Sequence, residues 1–506
     1  MSSRDLNIPI EGAIGRISRL SFVPPVLIAG ISGAVYAATL LPGVGHSGDT
    51  AKFQFVGYVL GTPHATGYPT YILINHFFTH LLPLGTVAYR ANLLSAIFAC
   101  ASLVFLYGIL RELQMSRTLA TAVALTFGFT YTFWQHALFA EVYTLHILFV
   151  ASVLYYLLRW SNSGRRSYFI AACGLYAFSF GNHLLMLMLL PAFAYFVWAT
   201  DRRVLISPRC ILLVAGLILL GSMQYLYFPW RTADPTTAYL EMHARDWKSF
   251  LWFITGAQFR GGMFAYSPGE LLSDRMPFFL REVWRQFGAL VLFLPFALFG
   301  SRNLRLHAFL GIYFLANGVY ALNYRIPDID AYFLPNHLLI SIYLALALTY
   351  ILGRLPEKAQ LLGKVLIACM PAVLLIRNLD TVDQHERLAK QRETMAMLEA
   401  VGGDAVIISA DYNIFEYLLY YDLVEGWRER GVFISHDFDV PDVVLYLRGD
   451  GDLKLTAQPI RVSPGLELFA TGIRNSHLEA LQEAGLHADA LKGGLLYRVR
   501  QAVPQE

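Results

Sequence analysis

Residues 22–41 read FVPPVLIAGISGAVYAATLL, a run of 20 residues without a charged side chain. A bilayer core needs roughly this many apolar residues to be crossed by a helix. The run follows Arg4, Arg16 and Arg19, has no small-residue cleavage site, and is long for the apolar part of a signal peptide. The sequence therefore predicts an uncleaved first transmembrane helix.

Similar apolar stretches recur as far as Arg377 and then stop. They number about eleven by the length and hydropathy that a bilayer demands, and lie near residues 22–41, 89–110, 118–135, 143–159, 168–183, 185–199, 209–228, 284–300, 306–323, 336–353 and 361–377. Only 15% of the 506 residues are charged, against about 25% in soluble chains, and the mean hydropathy is +0.47. The predicted fold class is a polytopic α-helical membrane protein.

Charge and motif content exclude several function classes. The net charge of +3 gives no sign of a nucleic-acid surface. The chain lacks the glycine-rich phosphate loops that an ATP-driven transporter would need. Its four cysteines lie in or beside apolar stretches without metal-ligand spacing, and are interpreted as core residues.

Basic residues cluster at every second connection between the predicted helices, which sets the orientation. These clusters are Arg111 with Arg117, Arg159 with Arg165 and Arg166, Arg202 with Arg203 and Arg209, Arg302 with Arg305, and Arg354 with Lys358. The positive-inside rule makes those connections cytoplasmic. Residues 42–88 and 229–282 then form outer loops, and Tyr68–Leu82 is interpreted as an amphipathic helix on the outer surface, because a span there would reverse every later loop.

The tail from residue 378 onward has a different pattern and predicts a second, extracytoplasmic domain after a membrane domain of residues 1–377. A polar helical stretch covers 381–400. Strands are predicted at Ala405–Ser409, Gly431–Ser435, Val443–Leu447 and Gly494–Val499, and helices at Asn413–Arg428 and Ser476–Gly485. This alternation is typical of a small α/β domain.

Asp49 is the first candidate for chemistry. Residues 42–49 read PGVGHSGD and place this carboxylate just past the first helix, at the membrane surface, where it could act as a general base on a lipid-anchored substrate. It could equally cap the helix that follows. His46 and His64 lie nearby, and a divalent cation is left open, although no fixed ligand spacing supports one.

Glu141 is the second candidate, in the segment WQHALFAEVY at 134–143, where one helix ends outside and the next begins. An ionisable group at membrane depth is costly and is a functional candidate by default, although solvation or pairing with a histidine would also explain it. Asn182 and His183 raise the same question, and a hydrogen bond between helices is the simpler interpretation of His183.

Arginines beside aromatic residues mark the later outer loops: Arg231, Arg260 and Arg325. A guanidinium binds phosphate oxygens bidentately, so these side chains suit a lipid phosphate whose charge grows as it leaves. Contact with lipid headgroups is the alternative for each of them.

Several short segments in a fixed order resemble a known family. They are LGTPH at 60–64, GYP at 67–69, RANL at 90–93, EVY at 141–143, GNH at 181–183, PWRTADP at 229–235 and DAYFLP at 330–335. Together they resemble the bacterial membrane proteins related to the animal transmembrane protein O-mannosyltransferase, of the GT-C class of glycosyltransferases. Two departures stand out: residues 64–69 read HATGYP where family members usually have HPPGYP, and the tail lacks the animal enzyme's helical repeats.

The resemblance implies a GT-C-like fold and an inverting sugar transfer. Asp49 would be the catalytic base and Glu141 a second catalytic carboxylate, with Arg231, Arg260 and Arg325 on the donor phosphate. Further substrate-site candidates are His46, His64, Tyr68, Tyr143, Asn182, His183 and Asp330. The donor would be a polyprenyl-phosphate sugar, mannose by family default, and the acceptor a protein Ser/Thr, a lipid or a glycan.

The expected location is a bacterial inner membrane with its lipids as neighbours, the site and tail facing the periplasm, with no certain cofactor and no nucleic-acid partner. A lipid-linked-sugar flippase or transporter is the alternative, and would place its polar residues near the bilayer midplane. A structural or assembly protein is a third interpretation, in which the acidic loop residues would be dispensable.

Overall fold

A computed structural model of the chain describes residues 22–45, 48–436 and 438–502. The first part of the chain is helical, with these helices: α1 (Val23–Thr39), α2 (Thr50–Phe55), α3 (Pro69–Leu81), α4 (Val87–Glu112), α5 (Arg117–Gly128), α6 (Tyr131–His136), α7 (Tyr143–Ser163), α8 (Arg166–Ser179), α9 (Leu190–Asp201), α10 (Arg203–Ile206), α11 (Pro208–Met223), α12 (Tyr227–Ala233), α13 (Trp247–Ile254), α14 (Pro268–Glu270), α15 (Met276–Phe287), α16 (Ala297–Gly300), α17 (Leu304–Leu322), α18 (Ile329–Tyr332), α19 (Leu334–Arg354) and α20 (Glu357–Val382). Short 3₁₀ helices join several of them, among them Leu184–Leu189, Ala257–Gly262 and Gly288–Phe296.

Each of the eleven predicted apolar stretches is helical for most of its length. In the described part of the chain, seven helical stretches are long and apolar enough to cross a membrane: Val87–Glu112, Tyr143–Ser163, Leu184–Asp201, Pro208–Ala233, Pro268–Gly300, Leu334–Arg354 and Glu357–Val382. Helix α1 is apolar but has 17 residues, and α5 and α8 have 12 and 14. The membrane fold class is confirmed, and within the described residues seven helical stretches meet both the length and the hydropathy criterion.

Helix α3 covers the segment that the sequence predicts to be a surface helix rather than a membrane span. Its 13 residues extend about 20 Å, short of the roughly 30 Å of a bilayer core. Tyr71, Ile72 and Asn75 are buried, while Phe77 and Leu81 are exposed. One face therefore packs on the protein and the other is free for lipid.

A buried asparagine joins the end of α1, the predicted first outer loop (residues 42–88) and the segment before α7. Asn92 of α4 donates to the carbonyl of Leu41 at 2.8 Å, and its Oδ1 accepts from Gln54 Nε2 at 2.9 Å and from Ala140 N at 2.8 Å. A buried side-chain amide without hydrogen-bond partners costs free energy of folding, so this arrangement is strongly favoured. It fixes the first outer loop beside the segment that carries Glu141.

The C-terminal sheet domain, residues 389–502, follows α20. Its helices are α21 (Ala389–Val401), α22 (Tyr412–Val424), α23 (Val440–Arg448) and α24 (Asn475–Glu483), and its strands are β1 (Ala405–Ser409), β2 (Val432–Ser435), β3 (Leu453–Lys454), β4 (Arg461–Val462), β5 (Glu467–Thr471), β6 (Leu486–Leu491) and β7 (Leu496–Gln501). In its described part, five strands form a sheet in the order β2-β1-β5-β7-β6. Strand β1 is parallel to β2 and β5, and β7 is antiparallel to β5 and β6. The predicted α/β architecture is confirmed.

One predicted strand is wrong. Val443–Leu447 lies inside α23, whose start has Pro441 in the first turn and whose end has Gly449 at φ +83°. The apolar run is typical of a strand by composition. However, proline at the start and a left-handed glycine at the end are helix signals, and Val443 and Tyr446, three residues apart, are the buried side chains.

Candidate active site

A cavity of about 690 Å³ opens where the predicted outer loops, residues 42–88 and 229–282, meet the C-terminal sheet domain. Its polar end contains Asp49, Lys52, His64, Glu241 and Tyr412. The remaining wall is largely apolar or aromatic, with Leu184, Leu187, Met188, Phe259, Met263, Tyr320, Tyr324, Ile326 and Tyr332 among its residues. The cavity thus combines an ionised end with an apolar end, which suits a ligand with both characters.

Lys52 is the centre of the polar end and is fully buried. Its Nζ lies 3.1 Å from Asp49 Oδ1, 3.0 Å from Glu241 Oε2 and 3.1 Å from Glu416 Oε1. It also donates to Tyr412 Oη at 2.5 Å. One ammonium therefore contacts three carboxyl groups that come from three separate segments of the chain.

The charges in this cluster set the protonation of its members. Burial raises the pKa of Asp49, but His64 and Lys52 outweigh it, and the pKa lies below its usual value. Glu241 behaves in the same way, with Lys52 as the main opposing charge. Burial, Asp49 and Glu241 raise the pKa of Glu416 to about 8 despite Lys52. At neutral pH the site therefore holds two carboxylates and one carboxylic acid.

A β-bridge brings Glu241 to this cluster. Thr62 N donates to the carbonyl of Tyr239 at 3.0 Å, and Glu241 N donates to the carbonyl of Thr62 at 2.9 Å. Tyr239 Oη also donates to Glu241 Oε2 at 3.0 Å. The large outer loop is thereby held against the first one, with the Glu241 carboxylate facing Lys52.

The turn at residues 64–69 directs His64 and Tyr68 into the cavity. Gly67 N donates to the carbonyl of His64 at 3.0 Å, and Gly67 has φ +87°. A Cβ there would lie 2.2 Å from the Phe228 ring, so glycine is required. His64 Nδ1 lies 3.1 Å from Lys52 Nζ. Its Nε2 is 3.1 Å from Tyr68 Oη and 3.5 Å from Asp49 Oδ2.

Aromatic rings and the side chain of Asp328 form the opposite wall. Tyr143 Oη donates to Asp328 Oδ2 at 2.8 Å. The ring of His183 lies 5.8 Å from that of Tyr143 and 5.4 Å from that of Tyr332. His183 Nδ1 accepts from Leu185 N at 3.1 Å, which leaves its proton on Nε2. This wall can stack against an apolar face of a ligand and exchange hydrogen bonds with its hydroxyl groups.

Other predicted residues lie near the cavity without lining it. Glu141 is 7% exposed, and burial, Asp49 and Asp328 raise its pKa well above the usual value. Asn182 is fully buried and donates to the carbonyl of Val142 at 3.1 Å, which joins two helix ends. Asp330 is in α18, two residues beyond Asp328. His46 lies outside the described residues.

The three predicted arginines are in different situations, and none is among the residues that line the described cavity. Arg231 is 7% exposed, donates to the carbonyl of Leu60 at 2.8 Å and pairs with Asp234 at 2.7 Å. Arg260 and Arg325 are exposed, each follows a cavity-lining residue in the chain (Phe259 and Tyr324), and Arg325 stacks over the ring of Tyr266.

Sequence reasoning missed Lys52, Glu241, Asp328, Tyr412 and Glu416. Lys52 had a local signal, as the one basic residue in the otherwise uncharged segment 50–60. The others had none, because their partners are remote in the chain. Across the described residues, no group of three or more His, Cys, Asp or Glu side chains is arranged to hold a metal ion.

Comparison with known proteins agrees with the family resemblance. Residues 49–205 match the sequence model of the N-terminal domain of protein O-mannosyl-transferase TMEM260. The mouse protein of that name is 28% identical over 223 residues, which are 40% of this chain and 31% of the relative. A Dictyostelium discoideum protein of the same name is 24% identical over 123 residues, 24% of this chain and 15% of the relative. The resemblance is confirmed. The matched part is less than a third of either relative's length.

Solved structures extend the likeness to nearly the whole chain. ArnT from Cupriavidus metallidurans, bound to undecaprenyl phosphate, superposes with a TM-score of 0.64 at 11% identity, covering 96% of this chain and all of that one. The Archaeoglobus fulgidus oligosaccharyltransferase gives 0.51 at 12% identity, covering 95% and 73%. At such low identity the likeness concerns the fold alone. The chain therefore shares its fold with these two proteins.

Proposed function

We propose that this protein is an inverting glycosyltransferase that moves a sugar, mannose by the family resemblance, from a polyprenyl phosphate to an acceptor hydroxyl. The observation that supports it most is an ionised carboxylate, Asp49, at the polar end of a cavity whose other walls are aromatic and apolar. The TMEM260 relatives are named as protein O-mannosyl-transferases, which favours Ser or Thr of a protein as the acceptor over a lipid or glycan.

Asp49 is the proposed general base. Its Oδ1 is occupied by Lys52, so Oδ2 takes the proton of the acceptor hydroxyl as that oxygen forms a bond to the anomeric carbon. The bond between that carbon and the phosphate oxygen breaks, and the polyprenyl phosphate leaves with the electron pair. Attack and departure on opposite faces invert the anomeric centre.

The sugar is proposed to lie between the Asp49 cluster and the aromatic wall. Tyr143 and Asp328 form a ready hydrogen-bonding pair, and His183 offers its Nε2 proton. A pyranose has hydroxyl groups on its edge and C–H groups on its faces, so it matches such a wall. Glu141, buried behind Asp49, is proposed to orient the acceptor side as a neutral acid rather than to act as a base.

The lipid carrier is proposed to enter from the apolar side. Leu184, Leu187 and Met188 line the cavity at the start of a membrane-spanning stretch, and Leu187 is 43% exposed. Arg260 and Arg325 are proposed to approach the departing phosphate from the rim, where a guanidinium neutralises developing charge. Arg231 is proposed to stabilise the loop at residues 229–282 through its contacts with Leu60 and Asp234.

The positive-inside pattern supports a site on the outer face of the membrane, and a bacterial inner membrane facing the periplasm is the proposed location. The polar residues gather at the outer helix ends, which favours transfer over a flippase or transporter with a site at the midplane.

Sugar transfer from a panel of polyprenyl-phosphate sugars, by purified protein in lipid, tests the proposal. Wild type should release polyprenyl phosphate and glycosylate Ser/Thr peptides, and Asp49→Asn should bind donor without releasing it. Equal activity of both proteins would remove Asp49 from the mechanism. Absence of transfer together with movement of a lipid-linked sugar across vesicles would favour the flippase.

A further inference from the structure

Helix α22 of the C-terminal sheet domain presents two side chains to Lys52, at the polar end of the cavity. Tyr412 and Glu416 are four residues apart and so lie on one face of the helix. Glu416 is fully buried, with Oε1 3.1 Å from Lys52 Nζ. Tyr412 Oη accepts from Lys52 and donates to Glu241 Oε1 at 3.1 Å. The sheet domain therefore makes direct contact with the ammonium that holds Asp49.

The contact is part of a fitted interface. Gly45 has φ +85°, and a Cβ there would lie 1.9 Å from the Tyr417 ring, so the first outer loop approaches α22 as closely as glycine permits. On either side of it, Val44 N donates to Gln391 Oε1 at 2.9 Å and Ala88 N donates to Tyr420 Oη at 3.1 Å. These bonds clamp the loop that carries Asp49 and Lys52 against the sheet domain.

Lys52 has three N–H donors and more partners than it can satisfy at once. Its Nζ is within 3.2 Å of atoms of five side chains: Asp49, His64, Glu241, Tyr412 and Glu416. The position of the Lys52 ammonium is thus set by its contacts with α22 as well as by those with Asp49. Without the two α22 side chains, we expect the ammonium to move toward Asp49 and Glu241, and the Asp49 carboxylate to shift with it.

We infer that Tyr412 and Glu416 are positioning residues which complete the candidate active site: through Lys52, the C-terminal sheet domain holds the Asp49 carboxylate in line with the acceptor hydroxyl. This rests on the proposed function for its catalytic readout. The effect on geometry stands without it.

The test compares Glu416→Ala with Asp422→Ala in the full-length protein in lipid. Asp422 is a matched control, because it is a buried carboxylate on the same helix that pairs with Arg428 instead of the cluster. Glu416→Ala should lower kcat by about tenfold to a hundredfold, the usual cost of a misplaced catalytic group, and leave the donor KM nearly unchanged. Asp422→Ala should lower the thermal midpoint without this loss of kcat.

Glu416→Gln supplies the conservative variant and a pH readout. Glu416 faces Lys52, Asp49, Glu241 and Tyr412, and its pKa of about 8 keeps it a neutral acid at neutral pH, where glutamine has the same shape and charge. Glu416→Gln should therefore restore kcat near pH 7, and should lack the change in kcat that ionisation of Glu416 causes in wild type near pH 8.

Hydrogen exchange of residues 48–56 gives a readout independent of transfer, and should rise in Glu416→Ala but not in Asp422→Ala. If wild type transfers no sugar while this difference in exchange is found, the proposed function fails and the positioning role stands. The inference is overturned if folded Glu416→Ala matches wild type in both kcat and exchange, or if Asp422→Ala reproduces both effects.

Discussion

Replacement of Lys52 by methionine removes a charge while keeping a long side chain of similar volume. Lys52 is the cation shared by three carboxyl groups, two of them ionised at neutral pH, with N···O distances of 3.0–3.1 Å. Breaking a buried ion pair by removing one partner costs about 3–5 kcal/mol. The carboxylates of Asp49 and Glu241 are 32% and 22% exposed, and water screens part of the loss. We therefore expect a destabilisation of about 3 kcal/mol at neutral pH.

The destabilisation should grow with pH. In wild type, Asp49 and Glu241 have lowered pKa values; they contribute stability above their unfolded pKa values and lose it as pH falls. In Lys52→Met, burial and mutual repulsion raise the pKa values of Asp49 and Glu241 above those of the unfolded chain. The variant therefore loses stability as pH rises through the pKa values of its folded state. Each of these two acids adds about 1.4 kcal/mol to the destabilisation per pH unit, so the destabilisation relative to wild type should be smallest near about pH 4 to 5.

The assay is the thermal unfolding midpoint of both proteins in one detergent, from about pH 5 to about pH 8.5, a range that spans the expected titrations. Lys390→Met is the control. Lys390 pairs with Glu393 at 3.0 Å but is 67% exposed, so its loss should cost less than about 1 kcal/mol and show no trend with pH. A Lys52→Met deficit no larger than that of the control, or one that shrinks as pH rises, would refute the reasoning.

Three further predictions follow from single contacts. Glu141→Gln should keep transfer within about tenfold of wild type, because a buried neutral acid and an amide differ by about one hydrogen bond. The raised pKa of Glu141 makes the wild type lose stability as pH rises, so the stability of Glu141→Gln should fall less with rising pH. A steeper fall in melting scans would contradict this. Tyr143→Phe should lower kcat/KM about tenfold through the lost bond to Asp328, and an unchanged rate in steady-state assays would remove that pair from the sugar site. Arg231→Ala should lower stability by about 2–4 kcal/mol and leave the donor KM unchanged. Arg260→Ala and Arg325→Ala should instead raise the donor KM and keep stability within about 0.5 kcal/mol of wild type. The opposite pattern in binding and melting measurements would reverse their assigned roles.

Much of the fold could be predicted because its signals are local. The bilayer requires long uncharged helices, and these are visible in any window of about 20 residues. Strands β1, β2 and β7 and helices α22 and α24 were likewise predicted from their apolar patterns. Val443–Leu447 was assigned to the wrong class because side-chain composition was weighed above the proline and glycine at its ends.

The sequence by itself determined that Asp49, His64 and Tyr68 could meet, since they lie within 20 residues on one outer loop. Only the tertiary structure decided what surrounds them. Lys52 is 189 residues from Glu241 and 360 from Tyr412, and no pattern along the chain encodes such a pairing. A buried ammonium must find carboxylates wherever the fold brings them, because leaving it unpaired costs several kcal/mol, and here the packing of α22 on the first outer loop brings them.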